Sequence, residues 1–114
     1  MNYIIDAKNK SIGRVASEAA AILLGKKTPD IKKNAVSDAS VTIKNASQAR
    51  IFAKKRVAKT KTHFTGFSGG LRHQSPEQII QKKGYAGLFS RAVRGMLPSN
   101  KLRAPRMKKL TIEE

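Results

Sequence analysis

Apolar residues between Ser11 and Gly25 recur with the spacing of one face of a helix, and a short apolar run precedes them. That run, residues 3–5, predicts a strand, and a polar turn separates it from Ser11, which stands where a helix N-cap is expected. Gly25 follows the last apolar position, as a C′ residue does. A strand, a turn and a helix in this order predict the opening of a βαβ unit.

Weaker patterns mark the other elements. Ser75, Pro76 and Gln78 form the signature of a capping box with proline in the first turn, and they predict a helix that ends at Gly84. Pro105 would break any helix that places it beyond the first turn. The remaining predicted segments are strands at 40–44, 62–65 and 110–112, an extended piece at 51–53 and a second helix at 86–94.

Positive charge is concentrated in the second half of the chain. The 114 residues hold 24 Lys and Arg against 7 Asp and Glu, a formal charge of +17. Residues 1–49 carry 8 basic and 4 acidic side chains, whereas residues 50–114 carry 16 and 3. A domain with this charge repels itself unless a polyanion neutralises it, so the charge favours a nucleic acid as partner. An anionic membrane surface is the weaker alternative, because it would favour a basic amphipathic helix with exposed aromatic residues.

Length and composition exclude several classes of protein. The length predicts one domain, residues 1–114, with a basic segment from about residue 99. The absence of cysteine excludes disulfides, thiolate zinc sites and a cysteine nucleophile. The longest apolar run, residues 19–24, is far shorter than the ~18 residues of a membrane span. Because residues 3–5 already predict a strand, we expect no signal peptide and a cytoplasmic location.

Catalytic and metal sites find little support. His63 and His73 flank a glycine-rich loop and could share a metal, but acids are scarce nearby and cysteine is absent, so a third ligand is hard to supply. The same scarcity argues against a Ser-His-Asp triad and against paired carboxylates. We therefore predict no enzymatic activity, no metal and no cofactor.

The glycine-rich loop, residues 65–72, has two interpretations. It is not a Walker loop, because no Lys-Ser or Lys-Thr follows its glycines. Glycines can bring backbone N–H groups against a phosphate, with Thr65, Ser68 and Arg72 as further donors. Alternatively, the glycines only supply positive φ in a turn. The loop alone does not distinguish the two.

Basic side chains outside the loop form two clusters that favour phosphate contact over a merely solvated face, because almost no acids are interspersed. The first cluster is Lys54, Lys55, Arg56, Lys59 and Lys61; the second is Arg91, Arg94, Lys101, Arg103, Arg106, Lys108 and Lys109. Only six residues are aromatic, so a stacking platform for single strands has little support. The sequence favours structured RNA, recognised by its shape.

Three motifs together resemble a known family. They are the opening segments 2–7 and 11–16, the loop HFTGFSGG at 63–70, and AVRGMLP at 92–98. In order and spacing they resemble the universal large-subunit ribosomal protein L-thirteen family, bacterial type, shortened at both ends. After Pro98 the chain departs from the family's usual glycine–proline–leucine–glycine–arginine pattern. Phe64 and Phe67 stand where the family commonly has histidines.

The resemblance implies an α/β/α three-layer domain around a four-stranded parallel sheet with strand order 3-2-1-4. It implies a non-catalytic protein of the ribosome that binds large-subunit rRNA early in assembly, beside neighbouring large-subunit proteins, with no membrane and no small-molecule substrate. By the matching motifs, the resemblance implies RNA contact at two places. In the loop these are His63, Thr65, Gly66, Gly69, Gly70 and Arg72, and after it Arg94, Gly95, Met96, Leu97 and Pro98. A general DNA- or RNA-architectural protein and a small RNA-modifying enzyme are the alternative functions.

Overall fold

The computed structural model describes residues 1–29, 31–51 and 61–114; at residue 61 it describes the backbone only. The elements in chain order are β1 (Asn2–Asp6), α1 (Ile12–Leu23), β2 (Ser40–Lys44), a 3-10 turn (Ala46–Gln48), β3 (Lys61–Phe64), β4 (Leu71–Gln74), α2 (Pro76–Met96), α3 (Arg103–Met107) and β5 (Leu110–Ile112). The predicted strands and helices are therefore confirmed wherever they fall on described residues. Residues 52–53 of the predicted extended piece and most of the first basic cluster lie outside them.

Three strands of the described chain form a parallel sheet in the order β1-β2-β5. Counted along the chain, these three parallel strands have the order 3-2-1, which is part of the expected order 3-2-1-4, and no fourth parallel strand occurs among the described residues. The segment at 62–65 does not supply a fourth parallel strand: β3 pairs antiparallel with β4 in a separate hairpin. Only residues 65–70 connect the two, far fewer than the dozen that a parallel crossover requires.

The helices cover one face of this sheet. Ile5, Val41 and Ile43 are buried in a single core with side chains of α1 and α2, whereas Ile4 on the other face is 62% exposed. Thr42, next to Val41, also faces away from that core and is only partly buried. The described residues thus form a mixed α/β domain of two layers, not the three expected, because no described helix covers the face of Ile4 and Thr42.

Helix α1 ends as the sequence predicts. The N–H of Gly25 donates to the carbonyl of Ile22 and the N–H of Lys26 to that of Ala21, the two bonds of a Schellman motif. Gly25 has a φ of +84°, which glycine adopts at little cost. Ala19 and Ala20 are buried on this helix, and their small side chains let it lie close to its neighbours.

The two helices predicted after the hairpin form one kinked element, α2. Ser75 and Gln78 make the predicted capping box at its start. At Gly84, φ is +71° and ψ is −175°, so the helical bonds are interrupted there. The Glu114 carboxylate then accepts hydrogen bonds from the N–H groups of Tyr85 (2.9 Å) and Ala86 (3.4 Å), where the helix resumes.

Helix α3 contains Pro105 as its third residue, inside the first turn, where its missing N–H breaks no helical bond. The helix turns the chain back from the end of α2 into β5. Among the described residues, no helix combines the length and the hydropathy that crossing a membrane would need.

Candidate nucleic-acid interface

The hairpin of β3 and β4 is attached to α2 through its inner face. His63 lies opposite Arg72 in the pairing register, and both side chains face α2 together with Gln74. The Arg91 guanidinium donates a hydrogen bond of 3.2 Å from Nη1 to the Gln74 Oε1 atom. This bond holds the hairpin against the helix, so the basic residues of both elements border the same space.

That space is a groove of about 710 Å³, which we call the basic groove. Its charged or titratable lining residues are His63, Arg72, Lys82, Lys83, Arg91 and Arg94. No aspartate or glutamate occurs among the described residues that line it. Arginine forks and lysine ammonium groups in this arrangement suit the phosphates of a nucleic acid backbone.

A second groove of about 770 Å³, the arginine groove, opens at the start of α1. Four guanidinium groups border it, those of Arg50, Arg91, Arg94 and Arg103. Ser11 caps α1 without a side-chain hydrogen bond, and the first turn of the helix contains no acid. The positive end of the helix dipole therefore adds to the field of the arginines. Because Arg91 and Arg94 border both grooves, the two form one continuous basic surface.

The loop between β3 and β4 is a defined turn. The Thr65 N–H donates to the Gly70 carbonyl and the Gly70 N–H to the Phe67 carbonyl. Gly66 and Gly69 have φ values of +89° and +72°, so both positions favour glycine. A Cβ on Gly70 would collide with the Thr65 hydroxyl and the Phe67 carbonyl. These glycines thus have structural reasons to be there, whether or not the loop contacts phosphate.

The structure brings together part of the predicted RNA-binding set. His63, Arg72, Arg91 and Arg94 line the basic groove, and Arg103, Gly95 and Met96 line the arginine groove. Exposed positions outside the two grooves are Thr65, Gly66, Gly69, Pro98, Lys101 and Lys108. Lys109 is half-buried, and its ammonium donates to the Ser37 carbonyl. Lys54, Lys55, Arg56 and Lys59 lie outside the described residues, as does the side chain of Lys61.

Three predicted contact residues are buried in the protein itself. Leu97 is 3% exposed and belongs to the hydrophobic core, so its side chain packs where the motif interpretation expected RNA contact. Arg106, expected on a basic surface, is also only 3% exposed. Gly70 is buried behind Thr65. These three residues offer almost no surface to a partner in this structure, and their contact with RNA stays a prediction.

Sequence reasoning missed Lys82, Lys83 and Arg50 as groove residues. The two lysines end the first part of α2, and the kink at Gly84 brings that part over the hairpin. Arg50 follows the 3-10 turn and lies beside Lys10, whose carbonyl accepts the Arg50 N–H. Their only available signal was charge, which did not distinguish them from the other cations.

The histidines do not form a metal site. His63 and His73 are adjacent in pairing register along the hairpin, so their side chains point to opposite faces. Among the described residues, no cluster of three potential metal ligands occurs. This arrangement offers no geometry for a metal ion shared by His63 and His73, the alternative that the sequence left open.

Comparison with known proteins identifies the family. The family model described as Ribosomal protein L13 matches residues 1–113. The chain belongs to this family. Membership in the L13 family confirms the resemblance inferred from the three motifs, and the match extends well beyond them.

Similar curated proteins of the L13 family come from several bacteria. The chain is 39% identical over 110 residues to the large ribosomal subunit protein uL13 of Geobacter sulfurreducens, covering 96% of this chain and 76% of that relative. The chain is 36% identical over 110 residues to uL13 of Desulfotalea psychrophila, covering 96% of this chain and 77% of that relative. It is 38% identical over 109 residues to uL13 of Francisella tularensis subsp. novicida, covering 96% of this chain and 76% of that relative.

Proposed function

We propose that this protein is a structural constituent of the large ribosomal subunit that binds and organises large-subunit rRNA early in assembly. The observation that carries the proposal is the basic groove: two arginines of α2, one arginine of β4 and two lysines face one space with no described acid. Membership in the L13 family and relatives named for the large subunit support the assignment to the ribosome.

The mechanism follows from how the groove is built. Its cations project from a helix and from a hairpin fastened to that helix, so they keep a fixed spacing that suits a folded RNA surface. Binding through phosphates draws its free energy largely from the release of counterions. Recognition then depends on RNA shape and backbone geometry, and no chemical step or cofactor is required.

The proposed contacts combine both grooves with the exposed loop. They are Arg50, His63, Thr65, Gly66, Gly69, Arg72, Lys82, Lys83, Arg91, Arg94, Gly95, Met96, Pro98, Lys101, Arg103 and Lys108. The first basic cluster, residues 54–61, joins them on its charge alone. We also propose that neighbouring large-subunit proteins are partners and that the protein is located in cytoplasmic ribosomes. A fourth parallel strand, which the family resemblance implies, is proposed to complete the sheet.

Co-sedimentation tests this function. The tagged full chain is mixed with cell extract, separated on a sucrose gradient and washed at increasing salt. We expect it to travel with the large subunit and to be released only at high salt. If about 6–10 phosphates are neutralised, affinity for rRNA falls by roughly 10³- to 10⁵-fold between about 50 and 200 mM salt, by analogy with duplex DNA. Equal affinity for duplex DNA, without co-sedimentation, would instead indicate a general architectural protein.

A further inference from the structure

The outer face of the hairpin exposes large apolar side chains. Phe64 and Leu71 lie directly opposite each other in the pairing register and are 62% and 56% exposed. Phe67, at the tip of the loop, is 78% exposed. Phe64, Leu71 and His73 share the outer side of the strands, and we call them, with Phe67 at the loop tip, the aromatic face.

Alternation along the strands places these residues away from the basic groove. Successive side chains of a strand point to opposite sides, and His63 and Arg72 occupy the side that faces α2. Phe64 and Leu71 therefore point outward. His73 lies diagonally across from Phe64, within reach of its ring. The hairpin thus carries phosphate-binding groups on one side and aromatic rings on the other.

The charge around the aromatic face decides between two kinds of occupant. Residues 51–76 contain no acid and many cations, so the hairpin attracts a polyanion. A protein partner would need about 800 Å² of matching surface on each side, and three side chains at the end of a hairpin supply only a fraction of that. An unpaired nucleotide needs only one exposed ring, and the backbone of its RNA suits the cations on the other side of the hairpin.

The loop presents Phe67 in a defined and uncrowded turn. A Cβ placed on Gly66 or Gly69, the neighbours of the tip, would meet no atom within 4 Å. The hydrogen bond from the Gly70 N–H to the Phe67 carbonyl holds the tip in its turn. Phe67 is therefore an exposed ring on a hydrogen-bonded turn.

We propose that Phe64 and Phe67 stack on unpaired bases of the bound RNA, while the cations of the basic groove hold backbone phosphates of the same RNA on the other side of the hairpin. This deepens the proposed function and rests on it, because it assigns the class of RNA that the hairpin takes: a loop or bulge, not a continuous duplex.

Fluorescence tests the stacking directly. The chain has no tryptophan, so Phe64→Trp and Phe67→Trp each introduce one emitter that keeps an aromatic ring. We titrate both variants with transcribed large-subunit rRNA and, separately, with a fully paired RNA duplex. Stacking predicts strong quenching by rRNA and little by the duplex. Equal quenching by both RNAs, or none by either, overturns the proposal.

Affinity of the unlabelled full chain supplies the second measurement. Loss of one stacked base is expected to weaken rRNA binding roughly tenfold for Phe64→Ala or Phe67→Ala, with an unchanged salt slope. Phe64→Leu is the matched control, because it keeps apolar surface and removes the ring; stacking predicts that it behaves as Phe64→Ala. Full rRNA affinity of the Phe64→Leu variant overturns stacking at that position, because it shows that no aromatic ring is required there.

The proposed function and this inference fail in different ways. A wild-type chain that binds no rRNA contradicts both. Only the stacking is contradicted if the wild-type chain binds rRNA with a steep salt dependence, the alanine and leucine variants bind equally well, and the two tryptophan variants show no quenching. Far-UV circular dichroism accompanies each variant, and the exposure of both side chains predicts unchanged spectra.

Discussion

Asp6 is a charged residue that links two loops at one end of the sheet. Its Oδ1 accepts hydrogen bonds from the Asn45 side chain at 3.0 Å and from the Lys8 N–H at 2.9 Å. The bond from Asn45, then that from Lys8, and attraction to Lys10 lower the pKa of the Asp6 carboxyl below its ordinary value. Asn45 adopts a φ of +56°, so this carboxylate also supports a strained turn.

The lowered pKa of Asp6 predicts a contribution to stability that depends on pH. A carboxyl whose pKa is lower folded than unfolded stabilises the fold above the unfolded value, about 3.9, and that contribution is lost as pH falls through the folded value. Asp6→Asn should therefore lower the free energy of unfolding at pH 7 and cost little in strong acid. Urea unfolding across this range checks it, with Glu18→Gln as the matched loss of one exposed carboxylate. Equal losses at both extremes would contradict it.

Arg106 is a buried cation, 3% exposed, whose Nε has no hydrogen-bond partner among the described residues. Burying a charged group without full hydrogen bonding is unfavourable, and apolar replacements of similar size are often neutral or stabilising. Arg106→Met is expected to keep the free energy of unfolding or raise it by about 1 kcal/mol, with rRNA affinity unchanged. Thermal unfolding and filter binding test this. A large loss of affinity in a folded variant would restore Arg106 to the RNA-binding set.

At the scale of elements, the kink in α2 depends on Gly84. Its φ of +71° with ψ near 180° is a conformation that essentially only glycine adopts, and a Cβ there would lie 2.5 Å from the Glu114 Oε1 atom. Gly84→Ala should destabilise the domain by about 1–3 kcal/mol and displace the Glu114 carboxylate from the restarted helix. Chemical denaturation measures the loss.

Gly95 offers the matched control for this substitution. It lies in the same helix, has no positive φ, and a Cβ on it meets no atom within 4 Å. Gly95→Ala is therefore expected to be neutral or to stabilise by about 0.5–1 kcal/mol. If both alanines were equally destabilising, the kink would not be the cause.

At the scale of the whole molecule, the basic groove holds several cations in a fixed arrangement. Replacing Lys82, Lys83 and Arg94 with alanine should lower the slope of log affinity against log salt by about 2–3, since each phosphate contact contributes roughly 0.7–0.9. All three side chains are exposed, so the fold should remain intact. Filter binding over a salt series measures the slope.

Lys26, Lys27 and Lys32 provide a control of equal charge for the groove variant. They are exposed and line neither groove. Their replacement by alanine should change the slope less than the groove variant does. Equal changes would mean that net charge, not the groove, governs binding.

The sequence by itself determined the local elements and the class of partner. Strand β1, helix α1 with its Gly25 end, and the capping box at Ser75 follow from spacing and turn chemistry, which act between residues a few positions apart. The run of cations after Arg50 indicated a polyanion, and three motifs indicated the family. These features are local or additive, so no tertiary information was needed.

Only the tertiary structure decided which side chains face solvent. It put Leu97 and Arg106 inside, brought Lys82 and Lys83 over the hairpin, and exposed Phe64 and Phe67 on one aromatic face. It also placed β5 beside β2 in a sheet of three described strands. Burial and strand order depend on contacts between residues far apart in the chain. Neither periodicity nor charge encodes those contacts residue by residue.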